Sequence, residues 1–471
     1  MAPSFHRALF ALLLVAGPAR ALDLVAPRDD NVVLGDRVTL EVADASRAPD
    51  EVKVDGVAVA ATWTRLPWAR RWAATVPLGV AASHVVEVRL GGDRASARVT
   101  DGASTLAVAE RVAAHIVQAT PPASLDWQWG PAVLLDSLHR YAKVSPDRAR
   151  WVAAVASHQQ RWLGKLPSID RPDRCASALM ALSLSTDEND ARFLPSAAVV
   201  ADYLRREPRN ALGALDHLGA RSPQRFWVNV SLVLRPWARS IWVDSLMMYA
   251  LFAARYGTTT KDLALRDFGL AQARIFASEM QDPTTGLFVH AWDVTKDRPL
   301  GAVWGRGNGW AATTVADLLD VCPPGHPERP HLERILRAHA AGLLAARPAS
   351  GLWDTVIDGR GPMYAETSGS ALIAYGLAKG ARLGVLPPAA RQAARETFRT
   401  ITSRLKPKST GLSVTGTSIA TNATPRWVYR LMPRQDDVAW GTGSYLRLAA
   451  ELSGESWRGG GGIVSGLPGT P

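Results

Sequence analysis

The chain has 471 residues, 47% hydrophobic and 21% charged, a balance that excludes a wholly disordered or membrane-embedded protein. Its 54 Lys+Arg against 43 Asp+Glu give a formal charge of +11, which suits an anionic partner. The arginines are spread along the chain without a basic block, so the pattern favours a diffuse field, or simply solvated basic faces, over a nucleic-acid-binding stripe.

Residues 1–21 read as an export signal, with His6 and Arg7 ahead of an apolar run from Ala8 to Val15 and Ala19-Arg20-Ala21 as the cleavage site. The mature chain is expected to start at Leu22 and to be exported, periplasmic or secreted. No later stretch is apolar for long enough to cross a bilayer, so no membrane insertion is expected after cleavage. Cys175 and Cys322 could pair in an oxidising compartment, but nothing in the sequence brings them together, and free buried thiols are expected.

Residues 22–100 carry short alternating segments such as Arg37–Val42, Trp72–Val76 and His84–Leu90, with hairpin signals at Asp55-Gly56 and Gly91-Gly92. They predict a small β-sandwich-like domain without catalytic candidates, suited to packing or weak glycan binding. Residues 104–455 change to long Ala/Leu/Arg-rich helices broken by Pro or Gly. Aromatic or Gly-rich punctuation before an apolar helix recurs near Trp127, Asp170, Trp242, Gly305, Ser368 and Gly441, with later intervals of roughly sixty to seventy residues, enough for a helical hairpin and its loops. Six such units predict a barrel of helical hairpins with inner N-termini converging on one face; a two-layered α-solenoid is the alternative. Residues 456–471 form a Gly-rich tail, expected to be disordered.

The central stretch is Ile241–Gly257, a helix apolar on nearly every side, with Gly257 as its stop and Asp244 in its first turn. An acid there faces an enclosed space in which it can stay protonated, or it merely caps the helix. In Trp304-Gly-Arg-Gly-Asn-Gly-Trp310 the glycines allow close backbone approach, the two indoles offer stacking faces, and Arg306 can grip a carboxylate; a structural turn explains only the glycines. His290 lies upstream between an aromatic and an acid, and Glu366-Thr-Ser-Gly-Ser370 opens an Ala-rich helix where Ser368 can cap or bind ligand.

As an ordered set, Trp242-Val-Asp244 through Met248, Gly286–His290, Trp304–Trp310, Glu366–Ser370, Ala374–Gly380 and Trp440-Gly-Thr-Gly443 resemble the unsaturated rhamnogalacturonyl hydrolases of glycoside hydrolase family 105, with the family 88 unsaturated glucuronyl hydrolases as relatives. The resemblance implies a mainly α fold, an (α/α)6 barrel behind the β-sandwich-like domain, and removal of a terminal 4,5-unsaturated uronic acid from lyase-generated pectic oligosaccharides. It implies hydration of an enol ether with no cofactor and no metal, an acidic oligosaccharide as partner, and no nucleic acid. Asp244 matches the family's acid/base residue. Trp242, His290, Trp304, Arg306, Trp310 and Ser368 match positions at the substrate. For the second acid the segment Ser168–Asp173 offers Asp170, which is favoured, and Asp173. The family's Gly-Gly-Phe-Trp-His segment appears here as Arg225-Phe226-Trp227-Val228-Asn229, without the His. Glycosaminoglycan fragments as substrate, or a noncatalytic glycan-binding barrel, are the alternatives.

Overall fold

The computed structural model describes residues 22–26, 31–34, 37–43, 45, 47–66, 71–78, 83–102, 104–230, 235–361 and 363–454. The expected leader at 1–21 and tail at 456–471 lie outside the described residues.

Two β-sheets come first. One has the strand order Asp23–Ala26, Arg37–Ala43, Trp72–Pro77, Thr64–Arg65; the other Asn31–Leu34, Asp93–Gly102, Ser83–Leu90, Glu51–Val54, Val57–Val59. Alternation explains their packing, because Val38, Leu40 and Val42 point inward from one sheet and Val52, Val54, Val86 and Val88 from the other, forming one apolar core. Both expected hairpins are present, and Asp55-Gly56 and Gly91 supply the positive φ that tight turns need.

The helices sort by burial. In Gly305–Val321 every residue from Gly305 to Leu319 is buried, and in Thr367–Arg382 every residue from Thr367 to Gly380. Arg148–Arg161, by contrast, buries only Trp151, Val155, His158 and Gln159. A helix covered on all sides needs an outer shell, whereas a one-sided helix supplies it. The inner helices are Trp129–Ala142, Ala178–Asp187, the run Val243–Ser245, Leu246–Ala250 and Leu251–Thr260, then Gly305–Val321, Thr367–Arg382 and Ala439–Glu451. Each contacts the next and the last contacts the first, so the ring closes as an (α/α)6 barrel and the solenoid alternative falls. Thr105–Ala119, Arg148–Arg161, Leu194–Arg206, Leu263–Met280, Arg329–Ala345 and Pro388–Thr402 pack outside, one against each inner helix.

Inner helices approach most closely through glycine. A Cβ at Gly309 would lie 2.7 Å from Leu372 Cβ, and one at Gly376 2.7 Å from Ala312. Gly309 and Gly307 therefore serve helix packing and Gly305 the close approach of Asp354 C=O, where backbone approach to a ligand had been expected. Gly257 is likewise not a stop. The helix continues to Thr260 and caps through Lys261 in the left-handed region, while a Cβ at Gly257 would meet the backbone of Arg266 at 2.3 Å.

At the C-terminal ends of the inner helices, Asp317 takes Lys379 at 2.6 Å, Arg140 at 3.0 Å and Arg447 at 3.3 Å. Burial opposes its charge, but the three cations hold its carboxyl far below the usual range. This ion cluster lines the barrel floor, at the end opposite the inner N-termini. On the seam between sandwich and barrel, Glu41 is held by Arg404 and by Arg71 at 2.7 Å. Cys175 and Cys322 are both free and buried.

Candidate active site

A short sheet assembles the centre. Ser240–Trp242 pairs antiparallel with Ala291–Asp293, with Trp242 opposite Ala291, and Val243 N–H donates to His290 C=O at 3.0 Å. This register places the first turn carrying Asp244 against the residue preceding the partner strand, so His290 Nε2 lies 3.3 Å from Asp244 Oδ2. The approach is a close polar contact and is not aligned as a full hydrogen bond. Directly after Asp244, Leu246–Ala250 widens into a π-turn, the kind of helix irregularity that clusters at functional sites.

His290 is fully buried, and its Nδ1 lies 2.6 Å from the Tyr429 hydroxyl. Burial raises the Tyr429 phenol and keeps it protonated, while Ala302 N–H already points at its oxygen at 3.4 Å. The phenol therefore donates to Nδ1, which assigns the ring proton to Nε2, facing Asp244. Burial depresses the imidazole, so the ring is neutral at neutral pH. Burial also opposes charge on Asp244, but the His290 ring, with His217 farther off, outweighs it and holds the carboxyl below its usual range. Asp244 is thus a carboxylate at neutral pH, which corrects the expectation that the enclosed helix start lets it stay protonated.

A second acid is shifted the other way. Burial pushes the Asp173 carboxyl up, His217 pulls against this, and the Asp244 charge adds to the rise. His217 bonds Ser245 Oγ through Nδ1 at 2.9 Å, stands 4.0 Å from Asp173 Oδ1 and stacks on Trp242 at 4.2 Å between ring centroids. Asp170, the favoured candidate from sequence, is instead faced by Arg174 at 3.6 Å and Arg171 at 3.9 Å. The structure thus sets Asp173 beside His217 within reach of the Asp244 charge and Asp170 against Arg174, with Arg171 acting on both. Both Asp244 and Asp173 stay partly open, at 18% and 22% of their side chains.

The expected ligand-binding residues lie one layer deeper. Arg306 donates to Ser418 C=O and Oγ at 2.9 and 2.7 Å and to Ile419 C=O at 2.9 Å, with Glu366 Oε1 at 3.6 Å, and it is fully buried. Its fork is committed to the 418–421 segment, which corrects the expected grip on a substrate carboxylate. Trp304 is covered on both faces, by His290 at 4.2 Å and by the Arg306 guanidinium at 4.5 Å, and Trp310 is fully buried, so neither offers a free stacking face. Ser368 is buried too and donates to Glu366 Oε1 at 2.8 Å. Glu366 itself caps the helix through Gly369 N–H at 2.6 Å. Trp242 forms the wall between His217 and His290.

Half-buried aromatic surface comes from Trp129 and Trp440, 4.6 Å apart, each near the start of an inner helix. Sequence reasoning had Trp440 in a motif and passed over Trp129, His217 and Tyr429. Trp129 could have been found from its place at the first inner helix start. His217 and Tyr429 carry no local signal, and the Phe226-Trp227 pair that stands where the family's His was sought is exposed, at 62% and 69%.

The fold and site define an (α/α)6-barrel protein with two carboxylates, two histidines and indole walls at its N-terminal face. The family described as Glycosyl Hydrolase Family 88 matches residues 107–454, and the chain belongs to it. Among curated proteins, it is 35% identical over 196 residues to the unsaturated rhamnogalacturonyl hydrolase YesR of Bacillus subtilis (strain 168), across 41% of this chain and 54% of that one. It is 24% identical over 270 residues to an unsaturated 3S-rhamnoglycuronyl hydrolase of Alteromonas sp. (strain LOR), across 55% of this chain and 61% of that one. The chain thus spans a little over half the length of these curated relatives. A family 105 glycoside hydrolase structure from C. acetobutylicum ATCC 824 superposes with a TM-score of 0.65 at 22% identity, covering 73% of this chain and 98% of that one. The unsaturated glucuronyl hydrolase of Bacillus sp. GL1 superposes with a TM-score of 0.58 at 17% identity, covering 74% and 96%.

Proposed function

We propose that the protein removes a terminal 4,5-unsaturated uronic acid from pectic oligosaccharides by hydrating the enol-ether double bond. The observation that carries this reading is the split state of the two carboxylates: Asp244 charged beside neutral His290, Asp173 raised by burial. Hydration needs one proton given to C4 and one taken from the water that adds at C5, and two carboxyls shifted in opposite directions suit those two roles. The hemiketal so formed opens and releases the partner sugar. The separation rule for glycosidases acting at the anomeric carbon does not apply to this route.

The curated relative named an unsaturated rhamnogalacturonyl hydrolase supports the pectic assignment. The leader-like residues 1–21 support export, so the substrate is met outside the cytoplasm. The test is loss of the conjugated double-bond absorbance on lyase-treated pectin and, in parallel, on lyase-treated glycosaminoglycan. Turnover of the pectic digest is expected; faster turnover of the glycosaminoglycan digest would transfer the assignment to that class, and absorbance unchanged in both would leave only a binding barrel.

A further inference from the structure

Away from Asp244, two clefts run along the seam between the sandwich and the barrel. The first, of about 1080 Å³, lies between Thr64–Leu66 of the sandwich and the 283–287 and 354–361 loops. Those loops precede two inner helices, so this cleft opens on the same barrel face as the carboxylate pair. The second, of about 760 Å³, lies between Arg37, Thr39 and Thr75 of the sandwich and the outer helix Pro388–Thr402. Both are bounded by Pro348 and Ala349, so they meet at that turn. Domain seams are favoured places for ligand clefts, and each of these is large enough for a drug-sized ligand.

Four arginines and three acids, Asp354, Asp358 and Glu396, line the walls. Arg37, Arg65, Arg347 and Arg399 line the two clefts. The acids beside them are already compensated: Glu396 by Arg347 at 2.9 Å, and Asp358 by Arg426 at 2.9 Å. The Asp354 carboxyl, raised by burial to about 8, is held neutral at pH 7. Arg37 and Arg65 are exposed at opposite ends, one per cleft, and neither touches the carboxylate pair. Arg347 is taken up by Glu396, and the exposed Arg37 and Arg65 guanidinium groups suit the carboxylates of a polyuronate chain.

We infer that this seam groove is a second, noncatalytic site that holds an acidic polysaccharide chain through Arg37 and Arg65, with both domains contributing a wall. It gives the sandwich a binding role and sets the barrel's open face beside the polymer. The inference rests on wall charge and cleft geometry, and it stands whether or not the chemistry proposed above is correct.

The probe is polygalacturonate without unsaturated ends, with neutral galactan beside it, titrated calorimetrically into the whole mature protein at about 0.1 M salt, where long-range charge is screened. Arg37→Glu with Arg65→Glu is expected to weaken polygalacturonate binding at least tenfold, with turnover of a short unsaturated pectic disaccharide unchanged. Arg206→Glu with Arg334→Glu, an equal charge change at exposed positions on outer helices, is the control. Equal weakening by both pairs would reduce the effect to net charge and overturn the site. So would galactan binding as tightly as polygalacturonate, or no binding by the unaltered protein. If the Glu pair lowers the melting temperature, Arg37→Ala with Arg65→Ala replaces it under the same criteria. Binding that persists without any disaccharide turnover would count against the hydrolase reading alone.

Discussion

His290 stands 3.3 Å from Asp244 and is oriented from behind by Tyr429 at 2.6 Å, so a phenol, an imidazole and a carboxylate form one line across three separate chain segments. Tyr429 fixes which ring nitrogen carries the proton and, through it, the charge on Asp244. Tyr429→Phe keeps the packing and removes the donor. Turnover is expected to fall by roughly tenfold, within the ordinary range for disturbing a general acid–base group, with the Michaelis constant nearly unchanged and the pH profile shifted. A purely structural Tyr429 would lower the melting temperature and leave the profile where it was.

The two carboxylates give a sharper test. Asp244→Asn and Asp173→Asn are each expected to reduce turnover by on the order of a hundredfold or more in well-folded protein, whereas Asp170→Asn should stay within a few fold. Activity should fall on the acid side as depressed Asp244 takes up a proton, and on the alkaline side as raised Asp173 loses one. The alkaline limb should therefore change in Asp173→Asn. Stopped-assay rates across pH settle the point, and a dead Asp170→Asn with an active Asp173→Asn would reverse the assignment.

Arg306→Lys addresses stability more than binding. A lysine cannot reproduce the fork onto Ser418 and Ile419, and carbonyls in a buried place would lose their donors. A loss of about 2 kcal/mol or more in denaturant unfolding is expected. Unchanged stability with a raised Michaelis constant would return Arg306 to the substrate.

Asp354 provides a pH signature of folding. Its carboxyl is raised to about 8 by burial, with the Glu41 charge adding to the rise, against about 4 in an unfolded chain. Between those values the folded state keeps a proton that the unfolded state has lost, so this contribution to stability falls as pH rises. Asp354→Asn should thus gain stability relative to the unaltered protein, by on the order of a few kcal/mol at pH 8 and by little near pH 4. Unfolding curves at the two pH values read this directly; a difference that does not grow with pH would show Asp354 already ionised.

Much of the fold was legible in the sequence because it is local. Alternation in residues 37–42 requires a half-buried strand, and apolar runs on every side of Gly305–Leu319 and Thr367–Gly380 require inner helices. The recurring punctuation marked the six inner starts, and Trp242-Val-Asp244 and His290 were placed in the centre from their motifs. The rest was decided by contacts that no window of sequence contains. Arg306 reads as a free guanidinium until Ser418, 112 residues later, takes its fork; His290 reads as a lone imidazole until Tyr429, 139 residues later, orients it. Asp170 and Asp173 are three residues apart and alike in chemistry. Only folding sets Asp170 against Arg174 and brings Asp173 to His217 and the Asp244 charge, because burial and neighbours, and not residue type, shift where a carboxyl titrates.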